Sequence, residues 1–275
     1  MSSSPKWIVN LSLLFTELPL TERPRAAVDA GFDEFEFWWP FGDDGRPSDA
    51  QVEEFIRSVE ESGGHLHAMN LFAGDMPAGD RGVLSYPERV DEFHDSVAVA
   101  VTVADRLGTR FFNAPYGHRR DDLDPLEQDE LADRSLVFAA NELAKFDGKV
   151  LLEPLSGMPR YPLKSSADGF AVIDRIASEE GVQNIGLLVD QYHLMSNGED
   201  IAQLVLDNPG RVDHVQIADV PGRGEPGSGD SADGIAAMIA ALVETGYAGV
   251  LALEYFPTTD TESSLATWRA SFPSG

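Results

Sequence analysis

The chain has 275 residues, 43% of them hydrophobic, and carries 47 acidic against 20 basic side chains for a formal charge of −27. So acidic a surface repels nucleic acid and anionic membranes, which are bound through clustered Lys and Arg, and no apolar run approaches the roughly 18–20 residues of a spanning helix. The absence of cysteine excludes disulfides, thiolate catalysis and Cys-ligated metal centres.

The N-terminal stretch MSSSPKWIVN has neither a basic n-region nor an apolar h-region, which is the expectation for a cytoplasmic protein. From there, strand-like apolar runs alternate with helix-like stretches eight times. The predicted strands are Lys6–Asn10, Asp33–Phe37, His65–Asn70, Arg110–Asn113, Lys149–Glu153, Ile185–Asp190, Val212–Ile217 and Gly249–Glu254. Between the second and third, SDAQVEEFIRSVEES places Val52, Phe55, Ile56 and Val59 at helical spacing. A longer helical stretch, YPERVDEFHDSVAVAVTVADRLG, ends at Gly108 as a C-cap would. Several helix ends share this glycine, which accepts the left-handed conformation that closes a helix before the next strand. Alternating β and α elements imply a parallel sheet. Eight units, with no G-x-G-x-x-G or Walker A loop after the first strand, fit an α/β fold of the (β/α)8 TIM barrel type, one domain spanning residues 1–275.

In such a barrel the active site lies at the C-terminal ends of the strands. The fifth strand ends at Glu153, the sixth at Asp190 with His193 just beyond, the seventh carries Gln216 and then Asp219, and the eighth ends at Glu254. Any one of these carboxylates alone reads as a helix cap or an ion-pair partner. Together they bring three negative charges toward one axis, which is costly unless a cation compensates them. Too few Lys and Arg stand near those strand ends, so the expected compensation is a divalent metal. Three carboxylates and the neutral amide oxygen of Gln216 suit Mg²⁺ or Mn²⁺ rather than zinc. Asp219 is expected to cap or support. His193 is either a structural histidine or a donor to a substrate oxygen, and NLFAGD, beginning at Asn70, is either an ordinary turn or part of the mouth.

The segments NLSLLFTELPLTERPRAAVDAGFDEFEF, NLFAGD, LLEPLS, LLVDQYHLMSNGED, HVQIADVPGRGEPGSGD and LEYFP resemble, in order and spacing, the hydroxypyruvate isomerase family of the xylose isomerase-like barrels. The resemblance runs from about Asn10 to Trp268. It implies a (β/α)8 barrel with a divalent metal held by Glu153, Asp190, Gln216 and Glu254, and Glu153 and Glu254 as the pair that moves the proton. The stiff loop PGRGEPGSG is expected to hold Arg223 and Glu225 over the substrate, with His193 and Asn70 beside them. The sequence departs from the family pattern at Phe256 in place of a basic residue, Gly224 in place of a histidine, Phe72 in place of a proline, and a segment EPLSGMPRYPL without the usual asparagine. These departures are expected to lie near the pocket and make its mouth more apolar. Arg160 and Arg223 remain as cations that either meet a substrate carboxylate or form salt bridges.

The expected function is a metal-dependent keto–aldose isomerase of a small hydroxy-oxo acid or sugar acid, of the hydroxypyruvate and tartronate semialdehyde kind, working through an enediolate. The alternative keeps the same site for a sugar or polyol epimerase, dehydratase or lyase. The expected partner is a small-molecule substrate, with no nucleic acid and no membrane; a homo-oligomer is left open.

Overall fold

The computed structural model describes residues 5–272; residues 1–4, where the N-terminal stretch read above begins, and 273–275 lie outside the described residues. Eight parallel strands close into a barrel in sequence order: β1 (Lys6–Asn10), β2 (Glu34–Phe37), β3 (His65–Asn70), β4 (Phe111–Asn113), β5 (Lys149–Leu152), β6 (Ile185–Asp190), β7 (Val212–Ile217) and β8 (Val250–Leu253). β8 returns to β1 through the register pairs Lys6↔Val250 to Val9↔Leu253. The expected (β/α)8 barrel is therefore present, and four strands have both ends where the sequence placed them. The other four are shorter by one residue at one end or, for β8, at each end.

The connecting helices are α1 (Arg23–Asp29), α2 (Asp49–Ser62), α3 (Val90–Leu107), α4 (Pro125–Ala144), α5 (Ser166–Glu180), α6 (Gln191–Ser196), α7 (Ile201–Asp207), α8 (Ala232–Glu244) and α9 (Thr261–Ser271). Helix α2 shows how local sequence sets the frame. Ser48 and Gln51 form a reciprocal capping box at its start, Val52, Phe55, Ile56 and Val59 bury one face, and Gly63 at φ +75° closes it. Among the described residues, no helix is long and apolar enough to cross a membrane.

Strand interiors are nearly continuous apolar runs, as in Ile185–Val189, because both faces of each strand are covered. Against that background the buried polar residues stand out. Asn10, Glu36, Asn70, Asn113, Glu153, Asp190, His214, Gln216 and Glu254 all lie within the barrel wall or just past it, each 8% exposed or less.

Candidate active site

Register brings the predicted rim residues together. Asp190, the last residue of β6, pairs with Gln216 on β7, and Gln216 pairs in turn with Ala252 on β8. Glu254 lies two residues beyond Ala252 and its N–H bonds the Ile217 carbonyl at 3.1 Å. Glu153 directly follows β5. Glu153, Glu254 and His193 line one cavity of about 610 Å³ together with Asn70, Arg81, Ser156 and Arg223. Trp38, Met76, Met158, Tyr192 and Phe256 give that cavity its apolar wall.

Each acid has its own partners. Asn113 Nδ2 donates to Glu153 Oε2 at 2.7 Å. Glu254 Oε1 accepts from Asn10 Nδ2 at 3.1 Å and Trp38 Nε1 at 2.5 Å. Asp190 caps the short helix α6, its Oδ1 accepting from the His193 N–H at 3.2 Å, so the cap itself positions the histidine. Burial, reinforced by the charge of Asp190, pushes the Glu153 carboxyl up to about 8, against the pull of Arg223 and Asn113. Glu254 is driven well above the usual carboxylate range by burial; Arg223 opposes this, and Asp190, Glu153 and Glu36 add to it.

Arg223 corrects one step of the sequence argument. A cation does reach the carboxylates: its Nη2 lies 2.7 Å from Glu254 Oε2 and 3.2 Å from Asp190 Oδ2. It comes from the loop after β7, not from a strand end, and so escaped a count made along the rim. The loop holds it with a φ of +54°, uncommon for a residue with a side chain, through its N–H to the Asp219 carbonyl and its carbonyl to the Phe256 N–H, both 2.8 Å. The guanidinium sits over the Tyr192 and Phe256 rings, at 5.3 and 5.7 Å.

One charge does not neutralise three carboxylates, and Gln216 shows what is left over. Its Nε2 donates to Glu36 Oε1 at 2.7 Å, while its Oε1 is buried without a partner. Glu36 also accepts from Asn10 at 2.9 Å and His214 at 2.6 Å; burial alone would raise it, yet these donors hold it below the usual carboxylate range. An ionised carboxylate can only accept, so the Gln216 amide must turn its nitrogen to Glu36 and keep its oxygen free. A buried amide oxygen with no donor beside carboxylates that repel one another fits a hard divalent cation taking oxygen ligands.

Glu153, Asp190 and His193 also bring one ligand atom each within 4.8 Å of one another. Histidine is the weaker member of that trio. The Ser156 N–H donates to His193 Nδ1 at 3.1 Å, which fixes Nδ1 as an acceptor and leaves the proton on Nε2. Nε2 lies 3.9 Å from Glu153 Oε1 and 3.7 Å from Asp190 Oδ2. Burial, with Arg223 and Arg81 nearby, holds the imidazole below its ordinary value despite Asp190. His193 is thus a neutral N–H donor facing the acids.

Other expectations fall differently. Glu225 does not line the cavity: its carboxylate accepts from Thr258 N and Oγ1, both at 2.9 Å, and pins the loop to the segment after β8. Phe72 is 1% exposed, packs edge-on to Trp39 at 6.0 Å, and belongs to the helix–sheet core rather than the mouth. Phe256 does line the mouth and is 51% exposed. Arg160 is exposed and lies outside the cavity. Asp219 supports the loop, accepting from Gly229 and Ser231. Sequence reasoning missed Asn10, Trp38, Glu36, Asn113 and Arg81. Only Glu36 had a local signal, since EFEF alternates and puts Glu36 on the face opposite Phe35 and Phe37.

The sequence profile of the xylose isomerase-like TIM barrels matches residues 24–271. A protein of Streptomyces coelicolor named as a putative hydroxypyruvate isomerase is 41% identical over 94% of this chain and 94% of its own length. The hydroxypyruvate isomerase of Escherichia coli K12 is 31% identical over 94% and 96%, and the 2-oxo-tetronate isomerase of Haemophilus influenzae 29% over 95% and 97%. A Brucella melitensis crystal structure titled AP endonuclease, family 2, superposes with a TM-score of 0.85 at 31% identity, covering 98% of this chain and 99% of that one. The family profile and these near-full-length relatives show that the chain belongs to the xylose isomerase-like TIM barrel family, within its hydroxypyruvate isomerase branch.

Proposed function

We propose that the protein is a divalent-metal-dependent isomerase that interconverts the keto and aldehyde forms of a small hydroxy-oxo acid, of the hydroxypyruvate and 2-oxo-tetronate kind. The observation that carries this reading is the orphaned Oε1 of Gln216, a residue paired in register with Asp190, together with the one cavity that Glu153 and Glu254 line. On this reading, Glu153, Asp190, Gln216 and Glu254 would hold Mg²⁺ or Mn²⁺. A cation there would polarise the substrate carbonyl and offset the negative charge that develops on its oxygens.

The chain's own residues then divide the work. Isomerisation removes a proton from the carbon beside the carbonyl and returns one to the neighbouring carbon through an enediolate. Glu153 and Glu254 are two carboxyls with elevated proton affinity in one cavity, which suits an acid and a base for that transfer. Asn113 fixes one and Asn10 with Trp38 the other, leaving Glu153 Oε1 toward His193 and Glu254 Oε2 toward Arg223. His193 offers Nε2–H to a substrate oxygen, and the aromatic wall limits water. A four-carbon acid fits the 610 Å³ cavity as readily as a three-carbon one.

Protein stripped with EDTA and incubated with hydroxypyruvate or 2-oxo-tetronate in D₂O should incorporate no deuterium by proton NMR, and Mn²⁺ or Mg²⁺ should restore incorporation. Exchange that persists in stripped protein would overturn the metal-dependent reading. Turnover of neutral ketoses in preference to the oxo acids would favour the epimerase alternative.

A further inference from the structure

An anionic substrate faces an obstacle in this molecule. The chain carries a formal charge of −27, and Glu153 and Glu254 line the cavity with Asp190 and the ionised Glu36 buried close by. The Arg223 guanidinium is already engaged by Asp190 and Glu254. A divalent cation among these acids would serve the oxo and hydroxy oxygens, and the carboxylate end of the substrate still needs a positive charge of its own in the cavity.

Arg81 is the other arginine in the cavity lining. Most arginines of the chain, from Arg25 to Arg211, are in ion pairs, but Arg81 lies within 4 Å of no carboxylate among the described residues. Its adjacent acid is turned away: Asp80 Oδ2 accepts from the Asp75 N–H at 2.9 Å and faces Arg89 at 3.6 Å. Arg81 is held by Nη1 alone, which donates to the Met76 carbonyl at 3.0 Å and the Asp80 carbonyl at 2.5 Å. Two neutral carbonyls orient the guanidinium without cancelling its charge, and leave Nε and Nη2 without a protein acceptor.

The backbone beneath it is built to stay put. The Arg81 carbonyl accepts from the Gly117 N–H at 2.9 Å, and the Gly82 N–H bonds the Ala73 carbonyl at 2.8 Å. Gly82, at φ +113°, passes so close to the β4 loop that a Cβ would stand 1.8 Å from the Pro115 carbonyl oxygen. The segment is thus stapled to the start of its own loop and to the loop after β4, and Arg81 rides on it into the cavity as a half-buried, unspent cation.

We propose that Arg81 is the receptor for the substrate's carboxylate, holding the acid end while the oxo and hydroxy groups lie against Glu153, His193 and Glu254. The proposal rests on the oxo-acid reading of this site and assigns the acid specificity to the loop after β3, away from the strand ends that hold the proton-transferring pair. A planar fork with two free donor positions matches a carboxylate in a way a lysine would not.

The test compares Arg81→Met and Arg81→Lys with the wild type. Calorimetric binding of erythronate, an unreactive four-carbon hydroxy acid, should weaken at least tenfold in Arg81→Met and recover partly in Arg81→Lys, with the thermal midpoint unchanged. With 2-oxo-tetronate, Arg81→Met should raise KM more than it lowers kcat. Erythronate binding equal in wild type and Arg81→Met overturns the proposal, as does a wild type that binds no carboxylate. A wild type that binds erythronate through Arg81 but turns over no oxo acid leaves the receptor standing and removes the isomerase reading instead.

Discussion

Glu36 and Glu254 are both buried, 2% and 3% exposed, share the donor Asn10, and are driven in opposite directions. Glu36 sits within the barrel wall, where His214, Gln216 and Asn10 all point donors at it and hold it ionised. Glu254 sits at the open end beside two other acids, with Arg223 as its one charged ally, and its affinity for a proton rises. Burial and the number of donors are the same; what differs is the company of other acids, Asp190 and Glu153, that crowds Glu254. In the wall the donors finish the charge of one carboxylate, while at the mouth one guanidinium leaves the charge of several acids unfinished.

The largest effect should come from breaking the unfinished half. Glu153→Gln should reduce solvent deuterium exchange at the substrate carbon by about 10²–10⁴-fold. Because the amide keeps the neutral form that burial and Asp190 already favour, the thermal midpoint of cation-free protein should not fall. A variant that unfolded instead, by circular dichroism, would show that Glu153 is structural.

Breaking the finished half should do the reverse. Glu36→Gln takes the charged acceptor away from His214 and Asn10 and meets Gln216 with a second amide, and with several bonds to a buried carboxylate lost it should cost about 3–5 kcal/mol in urea unfolding. Stability within about 0.5 kcal/mol of wild type would mean the network is ornamental.

A smaller effect tests the far end of the wall network, where His67 and His214 stack at 5.7 Å and Glu34 accepts from His67 Nδ1 at 2.8 Å. Burial, with His214 nearby, brings His67 down to about 4 in spite of Glu34 and Glu36. Between its ordinary value of 6.5 and about 4, the unfolded chain takes a proton that the folded one refuses. Stability is therefore fully present above 6.5 and is lost as pH falls through that window, by about 3 kcal/mol at most. His67→Gln should flatten the slope of stability against pH over this range; an unchanged slope would assign it to other groups.

The same contrast explains what could be read in advance. All eight strands were legible because apolar runs, helical spacing and closing glycines are local signals. Glu153, Asp190, Gln216 and Glu254 were legible because a parallel barrel aligns strand ends. The partner sets were not, since Glu36 meets Gln216 across 180 positions and Asn10 meets Glu254 across 244. Arg223 was legible as a substrate contact or a salt bridge, but its partners were not, because only the loop's path sets its guanidinium against Asp190 and Glu254. Phe72 misled for a related reason: adjacency to a mouth segment in sequence does not say which way a ring points.

The amide hydrogen that Ser156 gives to His193 has a consequence of its own. An imidazole whose Nδ1 already accepts from an amide must give up that bond before it can take a second proton there, a reason beside burial for its lowered proton affinity. While the bond stands, the ring serves the mouth as a donor of fixed orientation, much as an indole does.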